Sequence, residues 1–267
     1  MGHAIVIGLG KSGIAAARLL RRQGWQVTVS DRGNSEALQA VQQTLAAEGI
    51  AVKLGQSPWL EGASRVVVSP GVPWDSFPLL QARALGLEVV GEMELAWQAL
   101  KAVPWIGITG TNGKTTVTAL IESIFQAADL KAPACGNIGY AACEVALEAA
   151  GTAPPDWVIA EVSSYQIEAS ATLAPAISLW TTFTPDHLSR HVTLGRYYDI
   201  KAQLLRRSQL AVFNGDDPYL RQRHEDWPNA HWVTAQPEVS AITAAAATAV
   251  IEADWVWVAG QKLLPVA

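Results

Sequence analysis

Short apolar runs alternate with longer amphipathic stretches through the first ninety residues. His3–Ile7, Gln26–Ser30, Ala51–Leu54, Arg65–Ser69 and Glu88–Val90 have the length and composition of strands. Between them, Gly13–Gln23, Ser35–Glu48 and Pro78–Leu85 repeat apolar positions at helical spacing. Such alternation predicts a parallel sheet with helices on both faces. A helical stretch, Glu92–Lys101, then leads to Pro104, and a domain boundary is placed near Gly91. A second α/β series follows, with strands expected at Trp105–Thr109, Trp157–Glu161, Ala176–Leu179 and Leu210–Asn214, and helical patterns at Val117–Ala128 and Leu194–Arg207. Ala241–Thr248 reads as helical from its alanine content, although it lacks caps. Trp255–Val258 and Lys262–Pro265, around Ala259–Gly260, read as a hairpin, after which the ending at Pro265-Val266-Ala267 is abrupt for an α/β domain.

Composition narrows the function classes. Half of the 267 residues are apolar and the net charge is −5, with no Lys/Arg-rich stripe, which argues against nucleic acid as the main partner. No run reaches the roughly 18 apolar residues of a membrane span. Gly8 and Lys11 interrupt the N-terminal apolar segment, which reads as a first strand rather than a signal peptide. Cys135 and Cys143 form no CxxC and read as reduced thiols of a cytoplasmic protein. The eleven tryptophans suggest no function.

The strongest chemical signal is TGTNGKTT, residues 109–116, between an expected strand and an expected helix. A glycine loop in that position aims backbone N–H groups and the positive end of the helix at a polyphosphate. Lys114 would reach the β/γ-phosphates and the Thr115 hydroxyl would ligate Mg²⁺. The strict G-x-x-x-x-G-K-[ST] spacing is not met, because Ile108 stands where it requires glycine.

A second glycine turn, Gly8-Leu9-Gly10-Lys11-Ser12-Gly13, follows the first strand, and Asp31 ends the second. This is the dinucleotide fingerprint in its usual context, so NAD is one reading. The same geometry, an anion at a helix N-terminus and an acid facing a hydroxyl or N–H, also fits a UDP-sugar, and a ligand-free tight turn is the bland alternative. Ser69-Pro70-Gly71 would line the same crevice or form an ordinary turn. Gly136-Asn137-Ile138-Gly139 presents an amide between two glycines. Glu161, ending a strand, would hold Mg²⁺ or be a solvated acid. His187 and His191 have helical i, i+4 spacing without the HExxH form, so a zinc protease is not indicated. His187 suits a metal beside a phosphate site, and His191 suits packing. Lys201, alone, reads as a solvated charge.

Together and in this order, GLGKSG (8–13), VSPGVP (68–73), GITGTNGKTT (107–116), GNIG (136–139), EVSSYQIE (161–168), TPDHLSRH (184–191) and YYDIK ending at Lys201 resemble the Mur ligases of peptidoglycan synthesis. The resemblance covers the whole chain and is closest to the branch that joins D-glutamate to UDP-N-acetylmuramoyl-L-alanine. It implies an α/β chain with a Rossmann-like UDP-substrate domain at 1–91, followed at 92–267 by an incomplete P-loop ATPase-type central domain, without the family's C-terminal domain. It implies that Ser12 and Gly13 approach the diphosphate, Asp31 and Arg32 the uracil, and Ser69, Gly71 and Asn137 the same substrate. It implies ATP on Gly110, Thr111, Asn112, Gly113, Lys114, Thr115 and Thr116, and Mg²⁺ on Thr115 and Glu161. His187 would hold a second Mg²⁺, with Lys201 the counterpart of a carbamylated lysine. Lys114, Asn137, His187 and Lys201 are the implied catalytic set. ATP and Mg²⁺ are the implied cofactors, and a cytoplasmic monomer is expected. Competing readings are an oxidoreductase resting on GxGxxG and Asp31, another amide ligase of the superfamily, and a non-catalytic module that only holds UDP-muramoyl peptide.

Overall fold

The computed structural model describes residues 2–235, 247–252 and 255–265. The chain is mixed α/β and forms two compact units. One comprises residues 1–103, 135–156 and 165–173, and the other 104–134, 157–164 and 174–267. The two units interleave along the chain.

The first unit opens with β1 (His3–Ile7), α1 (Lys11–Arg22), β2 (Gln26–Asp31), α2 (Glu36–Ala47), β3 (Ala51–Leu54), β4 (Arg65–Val68), α3 (Phe77–Ala84), β5 (Glu88–Gly91) and α4 (Glu92–Ala99). The five strands run parallel in the order β3-β2-β1-β4-β5. Strand order reverses between β1 and β4, and in such sheets ligands bind outside the strand C-termini at that point. Ile5, Ile7, Val66 and Val68 on one face pack with Leu60, Leu79 and Ala82. α1 begins at Lys11, earlier than expected, because the polar half of the glycine motif is already its first turn.

Two buried acids of α4 explain the interleaving. Glu94 accepts hydrogen bonds from the backbone N–H groups of Thr172 (3.0 Å) and Leu173 (3.1 Å) and from the Thr172 hydroxyl. Glu92 accepts from the Cys143 N–H (2.6 Å) at the start of α6 (Ala142–Ala149), and burial pushes its carboxyl up to about 7. Gly91 N–H donates to Ala169 O (2.8 Å). Both cysteines are buried, and neither is in a disulfide.

The second sheet is built from β6 (Trp105–Thr109), β7 (Ala134–Gly136), β8 (Val158–Glu161), β9 (Ile177–Trp180), β10 (Leu210–Asn214), β11 (His231–Thr234), β12 (Ala247–Glu252), β13 (Trp255–Val258) and β14 (Gln261–Pro265). Its order is β14-β13-β12-β11-β10-β9-β6-β8-β7. β6 pairs in parallel with β8 and β9, and β9 through β12 continue in parallel. β12-β13-β14 is antiparallel, and β13–β14 is the expected hairpin. α5 (Lys114–Ala127) follows β6, and α7 (Ser164–Glu168), α8 (Leu188–His191), α9 (Leu194–Arg207) and α10 (Pro218–Arg221) come later. α5 starts at Lys114 rather than Val117, because its polar first turn carries no apolar periodicity. Most of the Ala-rich stretch expected to be helical, 241–246, lies outside the described residues. Ala247 and Thr248, however, are strand, where pairing with β11 and β13 outweighs alanine's helix propensity.

Several tryptophans serve packing. Trp180 stacks on Tyr198 (5.1 Å between centroids) and meets Phe183 edge-on, while Phe213 stacks on Trp232 (4.9 Å). Among the described residues no helix is long and apolar enough to cross a membrane.

Glu94→Ala is expected to lower unfolding free energy by on the order of 2 kcal/mol, since it strands the buried Leu173 N–H and removes the acceptor of Thr172. Urea denaturation of the two proteins measures this.

Candidate active site

In the first unit, the turn from β1 to α1 is closed by backbone and side-chain bonds that leave helix amides facing outward. Gly8 has φ of 99°, a conformation suited to glycine. A Cβ on Gly13 would sit 1.9 Å from Gly8 O, so only glycine allows α1 to approach the turn this closely. Ser69, at the end of β4, donates through Oγ to Gly8 O (3.1 Å). Asp31 accepts from Leu9 N–H through Oδ2 and from Gly33 N–H through Oδ1, each at 2.7 Å. Its carboxylate therefore organises the glycine turn as well as facing the crevice. Gly10, the N-cap of α1, has no side chain to cap the helix, so the first amides remain donors for an anion.

A cleft of about 420 Å³ lies over this turn, lined among others by Ser12, Asp31, Ser69, Gly71 and Asn137. A second cleft of about 270 Å³ at the same strand ends is lined by Asp31, Arg32, Gln56 and Pro73. Six of the seven residues expected to hold the UDP-substrate thus line adjoining space. Gly13 lies behind them as a packing position.

In the second unit, the glycine loop occupies the C-terminal end of β6, where strand order reverses between β8 and β9. Gly113 is the N-cap of α5 at φ of 82° and leaves the helix amides without a side-chain cap. Lys114 Nζ folds back onto Gly110 O (3.0 Å) and Thr111 O (3.1 Å). Thr115 Oγ1 donates to Glu161 Oε2 (2.9 Å), and Glu161, ending β8, is 2% exposed. Thr116 is exposed in the first turn of α5.

Lys201, on α9, is not the solvated charge that an isolated lysine suggests. It is 1% exposed, with Nζ donating to Gly110 O (2.9 Å) and Thr109 Oγ1 (3.2 Å). Burial, reinforced by Lys114, pushes its amine down to about 7 against the opposing pull of Asp186 and Glu161. His187 is the N-cap of α8 at φ of 51°, its half-exposed ring 3.5 Å from Asp186 Oδ2. The Tyr197 ring lies between the two, 6.3 Å from the His187 ring and 5.0 Å from Lys201 Nζ. His191 is buried, bonded to Ser164 Oγ through Nε2 (2.9 Å) and stacked on Tyr197.

The profile described as Mur ligase middle domain matches residues 108–254, and that described as Mur ligase MurD-like, N-terminal domain, matches residues 2–91. The chain belongs to the Mur ligase family. It is 64% identical over 239 residues to the UDP-N-acetylmuramoylalanine--D-glutamate ligase of Trichormus variabilis, covering 88% of this chain and 52% of that protein. It is 56% identical over 272 residues to the protein of the same name from Rippkaea orientalis, covering 99% and 59%. The chain therefore spans about half to three-fifths of the length of these relatives. Among solved structures, the UDP-N-acetylmuramate:L-alanyl-gamma-D-glutamyl-meso-diaminopimelate ligase from Neisseria meningitides is similar in fold, with a TM-score of 0.61, 16% identity, and coverage of 98% of this chain and 86% of that one. The ligase MurC from Thermotoga maritima gives a TM-score of 0.56 at 18% identity, covering 99% and 60%.

This Mur ligase chain presents residues that sequence reasoning did not select. A cleft of about 360 Å³ beside Gly113 and Val117 is lined by Leu179, Trp180, Thr181, Thr182, Phe213 and Asn214. It is largely apolar with one amide, the character of a site for a flat heterocyclic base. The signal available for it was the NGDDP stretch after β10, which carries no phosphate-loop glycine pattern.

Thr115 and Glu161 bring two hard oxygen donors together beside the loop, which suits Mg²⁺. Lys201 offers no lone pair to a cation while it is protonated, because an ammonium is a donor only. Among the described residues, no three His, Cys, Asp or Glu side chains gather as a metal cluster.

Lys201 is expected to titrate near pH 7, well below its ordinary value of 10.5. Its folded value is the lower one, so the unfolded chain binds more protons between the two. Lys201 therefore opposes folding fully below about pH 7, and that opposition fades as pH rises toward 10.5. Carbon NMR of ε-labelled lysine is the check: one resonance should titrate near 7 and vanish in Lys201→Met.

Proposed function

We propose that this chain serves an ATP-dependent amide ligase that joins D-glutamate to UDP-N-acetylmuramoyl-L-alanine, a cytoplasmic step of peptidoglycan synthesis. The carrying observation is the hydrogen bond from the exposed Thr115 hydroxyl to the buried Glu161 beside an uncapped glycine loop, in a chain so similar to ligases of that name. The UDP-substrate occupies the first unit's clefts. Its diphosphate meets the first amides of α1 and Ser12, its uracil meets Asp31 and Arg32, and Ser69, Gly71 and Asn137 hold the remainder. ATP phosphates lie on Gly110, Thr111, Asn112, Gly113, Lys114, Thr115 and Thr116, with the adenine in the cleft bearing Asn214.

Mg²⁺ on Thr115 and Glu161 supplies charge neutralisation at the phosphate oxygens. The chain's own contributions are positional and electrostatic. α5 amides and Lys114, released from its own loop carbonyls, stabilise charge on the transferred phosphoryl group as the L-alanine carboxylate attacks the γ-phosphorus, the bond to the bridging oxygen breaks, and ADP leaves with an acyl phosphate formed. The amine of D-glutamate then attacks the acyl phosphate, and phosphate leaves as the amide forms. No covalent bond to the protein is needed, so orientation of the two reactants carries most of the rate.

His187 and Lys201 complete the proposed catalytic set. Burial leaves a large fraction of the Lys201 amine neutral near pH 7, and the neutral amine is the form that adds to CO₂. A bond forms from Nζ to carbon, one C=O electron pair moves to oxygen, and a proton leaves nitrogen for water. The resulting carbamate is an anion, which removes the misfit of an ammonium beside His187 and a divalent metal.

Calorimetry with UDP-N-acetylmuramoyl-L-alanine, alongside NADH, tests the substrate assignment. Saturable binding of the UDP compound, weakened about tenfold by Asn137→Ala, is expected, with none for NADH. Binding of NADH alone would replace the ligase by a dehydrogenase. For Lys201, ¹³C-bicarbonate should produce a carbamate NMR signal that is absent in Lys201→Met.

A further inference from the structure

The phosphate loop departs from the strict pattern at Ile108, which is fully buried in the sheet core and contributes no flexibility to the loop. The loop is instead stitched to the segment that continues β9. Thr111 N–H donates to Thr182 O (2.8 Å), and Thr181 N–H donates to Thr109 O (2.9 Å). Two hydroxyls then make reciprocal pairs in opposite directions. Thr182 Oγ1 accepts from Asn112 N–H (2.9 Å) and donates to Asn112 O (3.1 Å). Thr111 Oγ1 accepts from Thr184 N–H (3.1 Å) and donates to Thr184 O (3.1 Å). Thr181 Oγ1 adds a bond to Asn112 O (2.6 Å).

This strap fixes the loop closely enough to dictate its sequence. A Cβ on Gly110 would fall 2.0 Å from Thr181 Oγ1, so the glycine is demanded by the strap itself. The strap also touches the neighbouring cleft: Asn214 Nδ2 donates to Thr181 O (2.8 Å), and Thr181 and Thr182 line that cleft. Both polar groups of Asn112's peptide backbone are held by threonine hydroxyls rather than by the loop. The amides offered to a phosphate are therefore oriented from outside the loop.

We propose that Thr181 and Thr182 are positioning residues that hold the phosphate loop in its anion-binding shape and link it to the base cleft. The inference rests on the reading that this loop binds ATP phosphates. Removing the Thr182 hydroxyl leaves Asn112 N–H without its acceptor and frees the loop to sample shapes in which its amides diverge. A phosphorylated nucleotide should feel this more than the base alone, which meets Thr182 only as part of the cleft lining.

The test is calorimetry of the whole chain with Mg²⁺, using ADP and adenosine as separate probes, on wild type, Thr182→Val and Thr182→Ser. ADP affinity should fall about tenfold in Thr182→Val, clearly more than adenosine affinity does, and serine should restore ADP binding. Amide exchange at Asn112 should accelerate in Thr182→Val and recover in Thr182→Ser. Equal loss of ADP and adenosine, or ADP affinity unchanged in the valine variant, would overturn the proposal. Absence of ADP binding by wild type would overturn the phosphate-loop reading beneath it. Should Thr182→Val not fold, Thr181→Val gives a second comparison: it removes the hydroxyl that donates to Asn112 O and should likewise lower ADP affinity more than adenosine affinity.

Discussion

Unsatisfied amides at the starts of two helices organise this chain. α1 and α5 both begin after a glycine N-cap that has no side-chain oxygen to offer. Side chains close three other helix starts, Ser35 at α2, Thr193 at α9 and Asp217 at α10, and Glu92 accepts from the Cys143 amide at the start of α6, whereas α3, α4 and α8 also lack a side-chain cap. At α1 and α5 the free donors and the positive end of the helix dipole remain available to an anion. Parallel strands place both helix starts at strand C-termini, and each lies where strand order reverses. Each compact unit thus carries its own anion-binding turn, and what distinguishes the turns is the set of side chains around them.

Those surroundings differ in how they treat charge. Asp31 in the first unit spends both carboxylate oxygens on backbone amides, fixing the turn while keeping one polar edge on the crevice. In the second unit an acid and a base are buried within a single turn of structure from the loop. Glu161 is held by the Thr115 hydroxyl. Lys201 is aimed at the loop carbonyl of Gly110, and desolvation with Lys114 nearby weakens its hold on a proton. Oxygen donors and a readily neutralised amine are an arrangement for phosphate and metal chemistry, and they give the second turn a different task from the first.

Much of this was legible in the sequence, for reasons that can be named. β1 is an apolar run buried along its length and β3 a short run around buried Val52, and that apolar patterning located both to the residue. Glycine spacing located both turns, because φ above zero and close backbone approach are requirements few other residues meet. Contacts distant in sequence were not legible. Nothing local indicates that Glu92 and Glu94 tie residues 142–149 and 172–173 to the first unit. Thr181, Thr182 and Asn214 were missed because ordinary polar residues acquire their role only from the register of β9 and β10 against β6. Lys201 needed its burial to be seen before its charge could be questioned.

The division of labour between the two turns is tested most directly by a crystal structure of this chain with an unhydrolysable ATP analogue and Mn²⁺. An anomalous Mn²⁺ peak in coordination range of Thr115 Oγ1 and Glu161 Oε2, with β- and γ-phosphates against the first amides of α5, is the result predicted. Nucleotide phosphates seated on the Gly8–Gly13 turn, with no metal at Glu161, would contradict it.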